Sequence, residues 1–422
     1  MNNWESFCSE IKTIYHELKE LKDGKPADYI PQLSSVNPDL FGISIISVDG
    51  DVFNIGDTNH RFCIQSCSKP MVFSLILKEH GNDKVSQHIG QEPSGKEFNC
   101  LDLNSDNKPH NPLINAGAIM AASLVKPDLP SDQRYDYIIN EWKRIVGNPD
   151  ISFDNSVYLS ERNTASRNYA LSYLMMENNI FPENCSIEDT LQLYFQSCSI
   201  TMKCPDLAKF AAVLANSGKA LDSEEHLIDP QIVKDVLCVM YSSGMYDYSG
   251  RWSFEVGIPA KSGVSGVIFG VIPQVCGIAV FSPPLDSSGN SVRGVEVFRK
   301  LAKVFNIHIF DTLVSGLQKK KNLLKSSFSK KMNDIYEYCK NGDASKLEGI
   351  LLDSGDLDLN QGDYDKRCPL HIAVEEDHVE CVKILVSKGA NPTLEDRWGV
   401  SPLKKATELG KDELISILSE KK

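Results

Sequence analysis

The run Phe62-Cys63-Ile64-Gln65-Ser66-Cys67-Ser68-Lys69-Pro70 carries the chain from a short apolar, strand-like segment into a helical pattern that continues to about Lys78. The switch puts Ser66 at a helix start, where backbone N–H groups have no intrahelical acceptor. Lys69 follows one turn later on the same face. A serine, an amine and free main-chain donors together offer a nucleophile, a proton acceptor and part of an oxyanion site. Pro70 agrees with a helix start, because proline is tolerated in the first turn and not beyond it.

The Ser-x-x-Lys string alone says little, since it recurs at Ser9, Ser105, Ser123, Ser327, Ser401 and Ser419. A second element singles out Ser66. Lys261-Ser262-Gly263 leads into the glycine-punctuated run Val264-Ser265-Gly266-Val267-Ile268-Phe269-Gly270. A Lys-Ser-Gly strand facing a Ser-x-x-Lys helix resembles the pairing in serine-reactive enzymes of the β-lactamase and penicillin-binding type.

A chain of 422 residues is too long for one ordinary core, so two domains are expected. A net charge of -13 repels nucleic acid and anionic membranes, and neither is expected as a partner. The 12 cysteines, from Cys8 to Cys381, form no Cys-x-x-Cys pair and read as reduced thiols of a cytosol-like compartment. No His-Glu-x-x-His, P-loop or Rossmann glycine pattern occurs, so neither a metal nor a nucleotide cofactor is expected. Glu5, Glu10, Glu17 and Glu20 are unlike a transit or secretory peptide, and no run reaches the ~20 apolar residues of a membrane span. The expected location is cytoplasmic, or mitochondrial if a presequence is missing from this chain.

An amphipathic helix is expected near Trp4 to Leu21. Phe41 to Val48, Asp49-Gly50 and Val52 to Ile55 read as a β-hairpin with a tight turn. Helices follow at Gln133 to Val146, Ala165 to Met176, Ile187 to Gln196 and Leu207 to Asn216. Strands return at Gly263 to Ile272 and Val275 to Phe281, before a helix from about Ser291 to Val304. Strands at both ends of a helical centre predict one α/β domain whose sheet is completed late. Lys319, Lys320, Lys321, Lys325, Lys330 and Lys331 mark a basic linker around Ser326-Ser327-Phe328-Ser329. Beyond it, Pro369-Leu370-His371-Ile372-Ala373 is echoed by Pro402-Leu403-Lys404-Lys405-Ala406 after 33 residues. That step resembles ankyrin repeats, with a degenerate earlier copy in Leu347 to Leu352 and Gly355. The expected division is 1–311 catalytic, 312–332 linker and 333–422 repeats.

With these blocks in order, the segment from Tyr29 to about Asp311 resembles the serine-dependent glutaminases. The resemblance rests on Tyr29-Ile30-Pro31-Gln32-Leu33, the Ser66 run, Glu92-Pro93-Ser94-Gly95, and His110-Asn111-Pro112 continuing to Ile119. It also rests on Ser160-Glu161-Arg162, Arg167-Asn168, Tyr194-Phe195-Gln196, Gly244-Met245-Tyr246-Asp247 and Pro259-Ala260-Lys261-Ser262-Gly263-Val264. It implies a β-lactamase-like domain with a mainly antiparallel sheet and a helical subdomain, followed by the all-α ankyrin module. The implied reaction is hydrolysis of the L-glutamine side-chain amide to glutamate and ammonia through a serine ester, with no cofactor.

The same resemblance implies roles. Ser66 would be the nucleophile, Lys69 and Tyr246 would divide the acid and base work in an order that the sequence leaves open, and Lys261 completes the catalytic set. Backbone N–H groups of Ser66 and Val264 would hold the oxyanion. Glu161 suits the substrate α-ammonium, while Tyr29, Asn115, Asn168 and Tyr194 suit its carboxylate and amide. Ser105-Asp106-Asn107 copies a second β-lactamase motif, yet it follows Ser66 by only 39 residues in a polar loop and is set aside. That loop is linked in the family to oligomer contacts and activation, so a homo-oligomer, dimer or tetramer, is expected. Asp102 stands in it where some relatives carry an aromatic residue. A protein partner is expected for the ankyrin repeats. Two other readings compete: a β-lactam-reactive enzyme, and an adaptor whose large domain is inactive.

Overall fold

A computed structural model describes residues 4–419 other than 97–98, 184, 314–319, 322, 324–327, 353–356 and 364. The chain forms two compact units, Met1–Leu323 and Leu324–Lys422.

The first unit opens with α1 (Trp4–Lys19) and the short α2 (Pro31–Ser34). Strands β1 (Gly42–Ser47) and β2 (Val52–Gly56) form the expected hairpin, and β3 (Phe62–Cys63) leads into a 3-10 turn and α3 (Lys69–Val85). The helical centre comprises α4 (Asn115–Leu124), α5 (Ser131–Val146), α6 (Asn155–Asn163), α7 (Ser166–Glu177), α8 (Ile187–Cys198), α9 (Cys204–Ala215), α10 (Pro230–Ser243) and α11 (Ser249–Glu255). The short strands β4 (Ser152–Phe153) and β5 (Ile200–Met202) lie within it. Strands β6 (Ala260–Gly263), β7 (Val267–Ile272) and β8 (Cys276–Phe281) then precede α12 (Val292–Val304).

The main sheet has the order β2-β1-β8-β7-β6, every pair antiparallel, so the last strands of the unit close against the first. Both faces are covered, and the alternation of side chains along each strand sorts them. Ile43, Ile45, Ile268, Ile278 and Val280 join the core beneath α1 and α12. Val267, Phe269, Val271, Ala279 and Phe281 join the larger core of the helical side. Gly277 on β8 lets α9 approach, since a Cβ there would lie 2.4 Å from Ala208 O. A second sheet, β3-β5-β4, anchors the segment that enters the 3-10 turn, with Ile64 N–H donating to Ile200 O at 2.9 Å.

Two expectations need correction. The run read as one strand from Gly263 to Ile272 is two strands joined by a turn at residues 264–266. Gly266 adopts φ +91° there, and a Cβ would sit 2.4 Å from Pro283 Cα and Ser282 O. Only glycine fits that corner, and the β-branched residues around it hide the break. The α-helix after Ser66 also begins later than expected, at Lys69, because Gln65–Ser68 form the 3-10 turn.

Within the basic segment, Lys320 Nζ pairs with Asp311 Oδ1 at 2.8 Å, and Leu323 is buried in the core beneath α1 and α12. Lys319, Lys325, Ser326 and Ser327 lie outside the described residues.

The second unit contains α13 (Phe328–Asn341), α14 (Ala344–Leu352), α15 (Pro369–Glu375), α16 (Val379–Ser387), α17 (Pro402–Glu408) and α18 (Asp412–Ser419). Ile335, Leu347, Leu370, Leu385, Ala406 and Leu414 share one core. Alone, a helix pair could not bury these faces; stacked neighbours do. Pro369 and Pro402 open α15 and α17, which gives the repeated Pro-Leu a helix-start role. His371 Nδ1 accepts the Cys368 N–H at 3.1 Å, and Nε2–H then reaches Val400 O at 3.1 Å, joining successive repeats. Gly355 of the degenerate copy lies outside the described residues.

Candidate active site

Ser66 lies in the 3-10 turn, near the start of which a backbone N–H has no intrahelical acceptor. Gln65 before it takes φ +50°, unusual for a side chain of that size. The Gln65 side chain is held in place, since Nε2 donates to Glu161 Oε1 at 3.0 Å. Tyr29 donates its phenolic proton to the same oxygen at 2.6 Å.

Lys69 follows on the first turn of α3 and is almost wholly buried. Its ammonium donates to Asn115 Oδ1 at 2.8 Å and to Leu113 O at 3.4 Å. Asn115 opens α4 and passes the link on, donating from Nδ2 to Asn168 Oδ1 at 3.2 Å. Burial among these neutral acceptors lowers the Lys69 pKa to about 8, so the free amine is accessible near neutral pH.

Lys261, on β6, is fully buried, with Nζ donating to Ser262 O at 2.7 Å and lying 4.4 Å from the centre of the Tyr246 ring. Burial first, and the Lys69 charge second, bring its pKa down to about 7. Tyr246 opens a 3-10 turn with φ +55°. Burial pushes its phenol far up, opposed by a hydrogen bond with the Ser66 side chain, so the ring keeps its proton at neutral pH. The thiol of Cys67 donates to Lys261 O at 3.5 Å and ties the serine turn to the Lys261 strand.

Around Ser66 the chain closes a cavity of about 370 Å³. Of the residues singled out from sequence, Tyr29, Ser66, Asn115, Glu161, Asn168, Tyr194 and Val264 line it. Lys69, Tyr246 and Lys261 adjoin it through the contacts just described. Ser105, Asp106 and Asn107 are exposed and do not line it. Glu161 is pulled two ways: burial raises its pKa, whereas the Tyr29 and Gln65 hydrogen bonds and the Lys69 charge lower it. A carboxylate so placed is a receptor for a cation.

Sequence reading had not assigned Gln65, Asn99, Thr164, Arg167 or Cys198, which also line the cavity. Gln65 could have been noticed as a polar residue at the end of an apolar strand and next to the serine. Arg167 donates to Asn99 O at 3.4 Å, a contact between distant segments that leaves no local trace in sequence. Among the described residues, no group of three His, Cys, Asp or Glu is placed to hold a metal ion.

A sequence model of the family described as "Glutaminase" matches residues 24–310, about two thirds of the chain. The chain belongs to the glutaminase family. Residues 335–422 match "Ankyrin repeats (3 copies)". Glutaminase-family relatives include a protein of Caenorhabditis elegans named putative glutaminase 2, 42% identical over 99% of this chain and 69% of its own length. A liver-isoform glutaminase of Rattus norvegicus, named mitochondrial, is 38% identical over 99% of this chain and 70% of its own. The glutaminase of a Nostoc strain is 45% identical over 72% of this chain and 91% of its own length. Among solved structures, the probable glutaminase YbaS aligns with a TM-score of 0.68 at 33% identity, covering 71% of this chain and 96% of that one. The glutaminase match takes in every cavity residue from Tyr29 to Val264. The antiparallel sheet with its helical side is the β-lactamase-like fold of this glutaminase family, here accompanied by the ankyrin unit.

Proposed function

We propose that the protein hydrolyses the side-chain amide of L-glutamine, with Ser66 as nucleophile and Lys69 as the base. The reading is carried by one observation: beside the serine turn, Lys69 is buried against neutral acceptors, with its pKa lowered to about 8. A buried neutral amine can accept the serine proton as Ser66 Oγ bonds to the amide carbon. The backbone N–H groups of Ser66 and Val264 receive the charge on the carbonyl oxygen. Collapse breaks the carbon–nitrogen bond, and Tyr246, protonated and hydrogen-bonded to Ser66, passes a proton to the departing ammonia. Lys69 then returns the serine proton to the Tyr246 phenolate; water attacks the glutamyl ester, Lys69 takes a proton from it and passes that proton to Ser66 Oγ as the ester bond breaks, and glutamate leaves with Ser66 restored. Lys261 supports Tyr246 by packing its side-chain nitrogen 4.4 Å from the centre of the ring.

The α-ammonium of the substrate pairs with Glu161, and Asn115, Asn168, Tyr194 and Tyr29 meet its carboxylate and amide. No cofactor enters this scheme. The ankyrin repeats take a protein partner, the protein assembles as a homo-oligomer, and residues 1–311 contain the groups for the chemistry. Among the described residues no helix is long and apolar enough to cross a membrane. All 12 cysteines are free thiols, which suits a reducing compartment, and we place the protein in the cytoplasm.

Ammonia release from L-glutamine by the wild type and Ser66→Ala tests the reading, with L-asparagine and a chromogenic β-lactam as comparison substrates. Turnover of glutamine that disappears in Ser66→Ala is expected. Turnover of the β-lactam in place of glutamine contradicts it.

A further inference from the structure

Free L-glutamine carries an ammonium and a carboxylate on one carbon, and the lining of the Ser66 cavity holds two charged residues, Glu161 and Arg167. Glu161 receives the ammonium in the reading above, which leaves Arg167 without a task. Both come from one corner of the helical side. Glu161 sits near the end of α6, Arg167 lies in the first turn of α7, and Thr164 between the two helices also lines the cavity. Arg167 is exposed as well as cavity-lining, so an incoming ligand can reach it. Among the described residues its guanidinium makes one hydrogen bond, from Nη1 to Asn99 O at 3.4 Å, and no ion pair. The rest of its planar fork of N–H donors has the shape that a carboxylate accepts.

The neutral groups of the cavity are partly spent. Tyr29 gives its proton to Glu161, and Asn115 is bonded at both ends of its carboxamide, to Lys69 and to Asn168. A carboxylate moved from water into such a lining costs free energy unless a cation or further donors meet it. We propose that Arg167 pairs with the α-carboxylate of the substrate and so determines specificity: the site takes a free α-amino acid with a side-chain amide and refuses the same residue within a peptide. In a peptide the carboxylate has become an amide, and the guanidinium faces an uncharged group. The assignment rests on the glutaminase reading for the identity of the substrate, whereas the pairing itself can be measured without turnover.

Ligand-observed NMR titration of the full chain carrying Ser66→Ala, which lacks the nucleophile and keeps the rest of the cavity, tests the pairing. The ligands are L-glutamine and L-glutaminamide, whose α-carboxamide has the shape of the carboxylate without its charge. Adding Arg167→Gln should weaken L-glutamine about 10-fold, the scale of a hydrogen bond to a charged group, and should not weaken L-glutaminamide. Arg167→Lys, which keeps the charge, should recover part of the loss. Equal weakening of both ligands would make Arg167 only a tie to the Asn99 segment and overturns the proposal, as does unchanged binding of L-glutamine. With Ser66 intact, Arg167→Gln should raise KM for ammonia release by a similar factor while kcat stays within ~2-fold. A fall in kcat with KM unchanged also overturns it. Charge-dependent binding of L-glutamine without ammonia release by the wild type removes the glutaminase reading and leaves the Arg167 pairing in place.

Discussion

Tyr29 and Glu161, separated by 132 residues, share a 2.6 Å hydrogen bond on the wall of the Ser66 cavity. The bond links an N-terminal loop to α6 and holds Glu161 charged against the cost of its burial. Removing the Tyr29 hydroxyl therefore raises the Glu161 pKa further. Tyr29→Phe should raise KM for glutamine about 10-fold, in line with one hydrogen bond to a charged group. The acidic limb of kcat/KM should move to higher pH. Steady-state pH profiles of the two proteins check both shifts.

The buried Lys69 amine extends the same rising limb to higher pH. With Lys69 lowered to about 8, the fraction of free base grows as the pH passes from 7 to 9, and kcat/KM should grow with it. Lys69→Met should reduce kcat by ~100-fold or more, the usual scale for loss of a general base. The remaining activity should lose the pH dependence assigned to the amine, which a profile from pH 6 to 10 reads directly.

Lys261 should cost stability where it serves function. Its folded pKa, about 7, lies below the ordinary 10.5, so between these values the unfolded chain binds more protons than the folded one. Stability from this group therefore rises with pH across that window, and its cost is greatest below pH 7. Lys261→Met keeps the length and removes the buried charge. Its melting temperature should exceed the wild type's at pH 6.5, with the gain shrinking by pH 10 and turnover largely lost. Thermal melts at the two pH values check the sign.

At Gly266 the constraint is backbone. Alanine would need φ +91° and would press its Cβ on Pro283 and Ser282. Gly266→Ala should destabilise the first unit by ~2 kcal/mol or more and lower kcat with little change in KM, because the displaced turn carries the Val264 N–H. Denaturant melts and steady-state kinetics measure the two effects.

In the ankyrin unit, His371→Ala should cost ~1–2 kcal/mol, since it removes bonds to Cys368 and Val400. Glutamine turnover should be unchanged. Calorimetry with a parallel ammonia assay separates the outcomes.

The parts of this arrangement legible in the sequence were those governed by short-range geometry. Ser66 and Lys69 fall one helical turn apart wherever the chain goes afterwards, and the Asp49-Gly50 hairpin and the 33-residue repeat are local patterns of the same kind. Asn115, Glu161 and Tyr194 carry no such signal, since they meet only after folding brings distant helices together. Resemblance to a family supplied them. Gln65 escapes a linear reading because its placement depends on a positive φ and a partner on α6, neither of which a linear pattern displays. The corner at Gly266 was hidden inside an apolar run, although the glycine itself was visible.

The central claim is a glutamyl ester on Ser66. Rapid acid quench of the protein mixed with L-glutamine, followed by mass spectrometry of the peptide containing residues 62–70, tests it most directly. The expected result is a glutamyl adduct on Ser66 that forms during turnover, is absent without substrate and is absent in Ser66→Ala. Glutamine turnover that persists in Ser66→Ala, or an adduct on another residue, would contradict it.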